Sequence, residues 1–370
     1  MIFLGAGASK PYGIPTLEEF SEETLDILKK KGHEEVIQNI QESLKEFEMI
    51  MDFESLYSIL EGLTNPVRSV QNAGPFTAFL VKNKKSLPKC YDYSQVLSDL
   101  RKIIYDKCSI LNNEQTFKKV EICMNQLIDV TKENASEEWV SSIVGYHQSP
   151  NIGKVFVTTN YDMALELYFL SKEIPVIDGY EDTGAIVKRF DSLLLTNPYI
   201  STESRCIIKL HGSIWQFLRK NELIKTKLDP KSKLLPFKIH VDREMMIYPT
   251  KEKDILNYQF FPFFKIFKTI VWTKLLIIGY SFRDEPINVA IIENMILNKK
   301  AQIIIVDPRP DEVIENLYNN IPENITWRIP DHRILKFSGK FGSPEVFEYL
   351  KRIERVSANQ DITFDPSKLL

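Results

Sequence analysis

The chain has 370 residues, 44% of them apolar and 26% charged, and 47 Lys plus Arg against 50 Asp plus Glu give a formal charge of −3. That length supports one large domain or two ordinary ones with a real core, and the charge balance gives no general field for binding nucleic acid. The four cysteines, Cys90, Cys108, Cys123 and Cys206, contain no CxxC pair, which excludes a tetracysteine zinc ribbon.

In chain order, Met1 to Leu4 is a short apolar strand running into Gly5-Ala6-Gly7-Ala8-Ser9. Glycines at such a corner let backbone amides approach a pyrophosphate that a larger side chain would push away. A helix beginning next would add partial positive charge at the same place. The fingerprint is abbreviated, because Ala8-Ser9-Lys10 stands where a Gly-x-x-Gly continuation belongs.

Residues 17 to 149 read as mainly helical. Leu17 to Lys31 places Leu17, Phe20, Leu25 and Leu28 near one face, with Thr16 as N-cap before Glu18 and Glu19. Phe53 to Leu60 repeats the amphipathic pattern, and Pro66 ends that neighbourhood. Ser94 to Ile110, capped by Ser94 itself, and Gln115 to Val130 are two further helices, and the lysine-rich run from Lys82 to Lys89 before them reads as a solvated loop.

From Val155 the pattern changes to continuous β-branched and apolar runs: Val155 to Val157, Ile207 to Leu210, Leu275 to Ile278 and Ile303 to Val306. Such runs, spaced by helical segments, mark parallel strands covered on both faces. The expected fold is α/β: a Rossmann-like, mostly parallel sheet with helices on both faces. It opens at residue 1, is interrupted by a helical insertion over 21–149, resumes over 150–355, and leaves a tail at 356–370.

Ligands in open α/β sheets bind beyond the carboxyl ends of the strands. The residues there are Gly5 to Ser9, then Thr159-Asn160-Tyr161-Asp162, then His211-Gly212-Ser213, then Gly279-Tyr280-Ser281 with Arg283-Asp284, and finally Asp307-Pro308. Each has a plain structural reading: Asn160 and Asp162 as helix caps, His211 as a core histidine, Asp307 as a turn start, and Arg283 with Asp284 as a mutual ion pair. Small, amide, imidazole and carboxylate groups at every strand end together point to a site.

The set Gly5-Ala6-Gly7-Ala8-Ser9 with Gly13-Ile14-Pro15, Thr159-Asn160-Tyr161-Asp162, Leu210-His211-Gly212-Ser213, Gly279-Tyr280-Ser281 and Ile305-Val306-Asp307 resembles the ordered motifs of the sirtuin-like NAD-binding family, most of all its bacterial anti-phage defence branch. The resemblance implies that Gly5 to Ser9 cradle the NAD pyrophosphate and that Asn160 orients the nicotinamide ribose and the nucleophile. It makes His211 the catalytic histidine and Asp162 the reader of the nicotinamide carboxamide, flanked by Thr159 and Tyr161. Gly279 and Ser281 would approach phosphates and ribose, and Asp307 would accept from the adenosine ribose.

Two departures from protein-deacylating relatives bear on activity. There is no zinc module, and Thr16-Leu17-Glu18-Glu19-Phe20 replaces the Asp-Phe-Arg stretch expected after Gly-Ile-Pro. What the resemblance leaves is hydrolysis of NAD, its substrate, to ADP-ribose and nicotinamide without a metal. It further implies an effector of antiviral defence, restrained by homo-oligomer assembly or by a partner such as a HerA-like hexameric ATPase. Transfer of ADP-ribose or an acyl group on the same site, and a non-catalytic nucleotide sensor, are the alternatives. No membrane-length apolar run, signal sequence or basic groove is evident, so the expected setting is the cytoplasm, without membrane or direct nucleic-acid contact.

Other features carry less chemistry. His33-Glu34-Glu35 lacks the second histidine of a zinc-protease helix, and His147, His240 and His332 read as surface or structural residues. Tyr248 to Lys251 reads as a plain turn, or, by its resemblance to a segment that precedes the penultimate strand in that family, as backbone beside the adenine. The aromatic row Phe260, Phe261, Phe263, Phe264 and Phe267 reads as core packing at helical spacing.

Overall fold

The computed structural model describes residues 1–45, 51–64, 92–110, 113–132, 155–181, 187–196, 204–220, 222–226, 243–246 and 261–357. Pro66, the Lys82 to Lys89 run, Cys90, His147, His240, the Tyr248 to Lys251 segment, Phe260 and the tail from Ala358 lie outside them.

Strand β1 is Ile2–Leu4. Helices α1 (Leu17–Leu28), α2 (Glu34–Lys45), α3 (Phe53–Thr64), α4 (Tyr93–Cys108) and α5 (Glu114–Lys132) follow. The Thr16 cap holds: Glu19 reaches back to accept from the Thr16 amide at 3.1 Å. Gly32, at φ 91°, kinks the chain between α1 and α2, a helix the periodicity reading, which stopped at Lys31, had not named. At α4 the cap is Asp92, which accepts from the Gln95 amide at 3.0 Å, and Ser94 already lies inside the helix.

Then come β2 (Val155–Thr158), α6 (Ala164–Ser171), β3 (Val176–Ile177), β4 (Val187–Arg189), α7 (Ser192–Thr196), β5 (Arg205–Lys209), β6 (Gly212–Arg219), β7 (Glu222–Thr226) and β8 (Arg243–Met246). The chain continues through α8 (Phe261–Thr269), β9 (Lys274–Ile278), α9 (Glu285–Leu297), β10 (Gln302–Asp307), α10 (Pro310–Asn319), β11 (Ile334–Ser338) and α11 (Pro344–Ser357).

Seven strands form one sheet in the order β11-β10-β9-β1-β2-β5-β3. Every pairing in it is parallel, so the Rossmann-like expectation is met. The strand order reverses direction at β1, which pairs with β2 on one side and β9 on the other. That reversal makes the crevice above the ends of β1 and β9 the switch point where such sheets hold ligands. A second, four-stranded antiparallel sheet, β4-β7-β6-β8, was not anticipated.

Side chains alternate cleanly across the parallel strands. Ile2, Leu4, Phe156, Ile207, Leu276 and Ile278 face one core, which also contains Leu28, Ile37, Leu56, Leu100 and Met124 of the helical insertion. Phe3, Val157, Ile208, Leu275 and Ile277 face the other, with Phe263, Phe267 and Ile291 of α8 and α9. The insertion therefore shares a core with the sheet. Phe263, Phe264 and Phe267 are buried as packing residues, and Phe261 is exposed. Among the described residues, no helix is long and apolar enough to cross a membrane.

Candidate active site

Two backbone corners meet at the switch point. The amide of Gly5 donates to Ile278 O and that of Gly7 to Gly279 O, both at 2.9 Å, while Ala8 and Ser9 donate to Gly5 O and Ala6 O. A Cβ on Gly7 would stand 2.8 Å from Gly279 Cα, and one on Gly279, itself at φ +60°, would stand 2.5 Å from Gly7 Cα. Both glycines are thus explained by two loops in van der Waals contact. The turn continues as two single 3-10 turns, Ala6–Ala8 and Lys10–Tyr12, rather than as a helix start. Ala6 and Ser281 are exposed on the open side of this wall, and Gly7 is half-buried.

The loop after β2 is tied to the same turn by side chains. Asn160 Nδ2 donates to Gly5 O and to Ser9 Oγ, each at 2.8 Å. Ser9 Oγ in turn donates to Asp162 Oδ2 at 2.6 Å, and Asp162 Oδ1 accepts from the Ala164 amide at 2.9 Å. A carboxylate can only accept, so the serine proton goes to Asp162 and the serine oxygen must accept from Asn160. That order fixes the Asn160 amide with its nitrogen toward Ser9 and leaves Oδ1 as its remaining polar group. Asp162 is buried, and both its oxygens are engaged within the chain. Thr158 Oγ1 donates to Leu4 O and accepts from the Asn160 amide, and the Thr159 amide reaches Leu4 O at 3.3 Å.

His211 sits at the corner between β5 and β6 and is only 5% exposed. Its Nε2 lies 3.7 Å from Asp284 Oδ1, and Tyr280 OH donates to Asp284 Oδ2 at 3.1 Å. Burial, with Asp284 beside it, pushes the Tyr280 phenol well above its ordinary value, so the hydroxyl stays a donor. Arg283 is exposed and Asp284 buried, so the expected pairing of these two neighbours gives way to a carboxylate turned inward toward His211. The turn is made by Phe282, fully buried at φ 53° and anchored where its carbonyl accepts from Asn288 Nδ2 at 2.9 Å.

Asp307 ends β10, where Oδ1 accepts from the Arg309 amide at 2.9 Å. Burial raises its carboxyl above the ordinary range, against an opposing pull from Arg309. Thus Gly5, Ala6, Gly7, Ala8 and Ser9, then Thr159, Asn160, Tyr161 and Asp162, then His211, Gly279, Ser281 and Asp307 all lie at the carboxyl rim of adjacent strands. Buried Cys108 and Cys206 have thiols pushed up to about 12, which leaves them inert as nucleophiles. Among the described residues no three His, Cys, Asp or Glu side chains gather as metal ligands would.

Residues 154–327 match the family model of the SIR2-like domain. The match takes in Asn160, His211, Asp284 and Asp307, and the turn from Gly5 to Ser9 lies before it. No curated protein matches the chain. Solved structures similar to it include a Sir2 homologue–NAD complex, 16% identical with a TM-score of 0.40 over 96% of this chain and 89% of that one. A mutant Sir2 homologue with 2′-O-acetyl ADP ribose is 15% identical, with a TM-score of 0.40 over 98% and 94% of the two chains. Sir2Tm bound to a propionylated peptide is 12% identical, with a TM-score of 0.37 over 97% and 93%. The parallel, Rossmann-like fold rests on its own strand order and register.

Two residues of the site escaped the sequence reading. Asp284 was visible as an acid after a strand but was read as the partner of Arg283. Lys209 fell inside the run Ile207 to Leu210 without being singled out; its burial at 2% was the missing information.

Proposed function

We propose that the chain is an NAD glycohydrolase, cleaving the nicotinamide–ribose bond with water to give ADP-ribose and nicotinamide. The reading is carried by one observation: an amide oriented by Ser9 and an imidazole beside a buried carboxylate stand on one rim of a SIR2-like domain. Nicotinamide departs from a cationic pyridinium, so it needs little acid help. The demands are stabilisation of an oxocarbenium-like sugar and placement of a water.

Asn160 Oδ1 accepts a hydrogen bond from the water or a ribose hydroxyl, since Nδ2 is already engaged. As the water oxygen bonds to the anomeric carbon, the glycosidic electron pair leaves with the nicotinamide nitrogen and the water proton passes to His211. Asp284 supplies the negative charge that balances the resulting imidazolium. The wall formed by Gly5 to Ser9 with Gly279 and Ser281 flanks the pyrophosphate. Thr159, Tyr161 and Asp162 bound the nicotinamide end, and Asp307 accepts from the adenosine ribose.

Loss of NAD harms the cell that makes such an enzyme, so its turnover needs restraint. The reading extends to an effector of antiviral defence in the cytoplasm, held as a homo-oligomer and released with a partner such as a HerA-like hexameric ATPase. The test incubates the purified chain with NAD, with and without that ATPase, and follows nicotinamide by chromatography. Asn160→Ala and His211→Ala should each lower the rate by about a thousandfold while circular dichroism stays unchanged. Wild-type turnover in either variant would refute the assignment, and an acceptor other than water in the products would redirect it to transfer.

A further inference from the structure

We propose that Lys209 is a positioning residue, clasping the Asn160 loop to the corner that carries His211; its effect on rate rests on the glycohydrolase reading. Lys209 is the last residue of β5, two positions before His211, and is 2% exposed. Lysine is almost never buried at that depth without partners. Its ammonium has three donors and no acceptor. They meet the main-chain carbonyl of Asp162, that of Asn160 at 3.4 Å, and Glu166 Oε1 at 3.3 Å.

The carbonyl between those two is held from the same corner. Tyr161 O accepts from Ser213 Oγ and from the Ile214 amide, each at 3.1 Å. Three successive carbonyls of one loop are therefore gripped by residues on either side of His211. The Asn160 side chain is held from one direction by Gly5 and Ser9, and its backbone from the other by Lys209. Any shift of the β5–β6 corner would move both chemical groups together.

Glu166 explains how a cation is tolerated there. Burial pushes its carboxyl up, and the neighbouring lysine pulls it back toward the charged form. A buried ion pair of this kind contributes little net stability. Its return is geometric.

The comparison is between Lys209→Met combined with Glu166→Gln, which removes both charges, and Glu166→Gln alone, which keeps the lysine. We expect the double variant to melt within a few degrees of wild type, because no buried charge is stranded. Amide exchange over residues 159–163 should nevertheless quicken about tenfold. Its kcat for nicotinamide release should fall about a hundredfold, with KM for NAD changed less than about threefold, as displacement of an attacking group predicts. Glu166→Gln alone should keep both protection and kcat near wild type.

A double variant with wild-type exchange and kcat would overturn the proposal, since Lys209 would then only neutralise Glu166. So would a double variant melting more than about 10 °C low, because the lysine would be holding the fold and not the loop. Should wild type neither bind nor cleave NAD, the glycohydrolase reading falls, and exchange at 159–163 still decides the placement of Lys209.

Discussion

The two halves of the rim are built in opposite ways. On the Asn160 side, hydrogen bonds of 2.6 to 2.9 Å run from Gly5 through Ser9 and Asp162 to the Ala164 amide, joining residues more than 150 positions apart. On the His211 side, Asp284 Oδ1, the nearest carboxylate oxygen among the described residues, is 3.7 Å from Nε2, longer than a hydrogen bond, inside an equally buried environment. One half is fixed before any ligand arrives. In the other, the His211–Asp284 contact has room to tighten when charge develops on the imidazole, as catalytic contacts often do between free and reacting states.

That contrast can be broken most severely at Ser9. Ser9→Ala strips the acceptor from Asn160 and a donor from a buried carboxylate, so stability and turnover should fall together, with unfolding free energy lower by about 1–3 kcal/mol in urea. A Ser9→Ala enzyme as stable as wild type would show that the network is not a rigid unit.

Asp284→Asn should do the reverse. It keeps an acceptor for Tyr280 and relieves a buried charge, so melting should barely change while kcat falls about ten- to a hundredfold. Equal losses in stability and rate would erase the distinction between the halves.

The smallest effect concerns Asp307, outside both. Its raised carboxyl binds a proton more readily folded than unfolded, so its contribution to stability is present at low pH and lost as pH rises through the folded value. Ligand binding runs the other way, because the ribose is accepted by the ionised form. KM for NAD should rise as pH falls toward a point above the ordinary carboxylate range, and in Asp307→Asn it should be higher but flat across that interval.

What the sequence made legible follows from the same physics. β1, β2, β5, β9 and β10 were readable because strands buried on both faces must be continuously apolar, and the site residues because ligands gather at strand ends. The antiparallel sheet was missed because Gly212 to Arg219 is buried at every position but the last, which hides the alternation expected of a half-solvated strand. Asp284 was missed because its direction depends on the positive φ of Phe282, which nothing in a phenylalanine announces. The Ser94 cap failed by two positions, within the reach of a competing Asp92.

The placement of β1 in the middle of the sheet has a consequence for biosynthesis. Its neighbours are β2, whose first residue is Val155, and β9, which begins only at Lys274. During translation the oily Ile2–Leu4 segment therefore emerges with no strand to join until about 150 further residues have been made, roughly 8–30 s at ordinary elongation rates. The helices made in that interval bear apolar faces that end up packed with Ile2 and Leu4. They are the first shelter available to that strand as the chain is made.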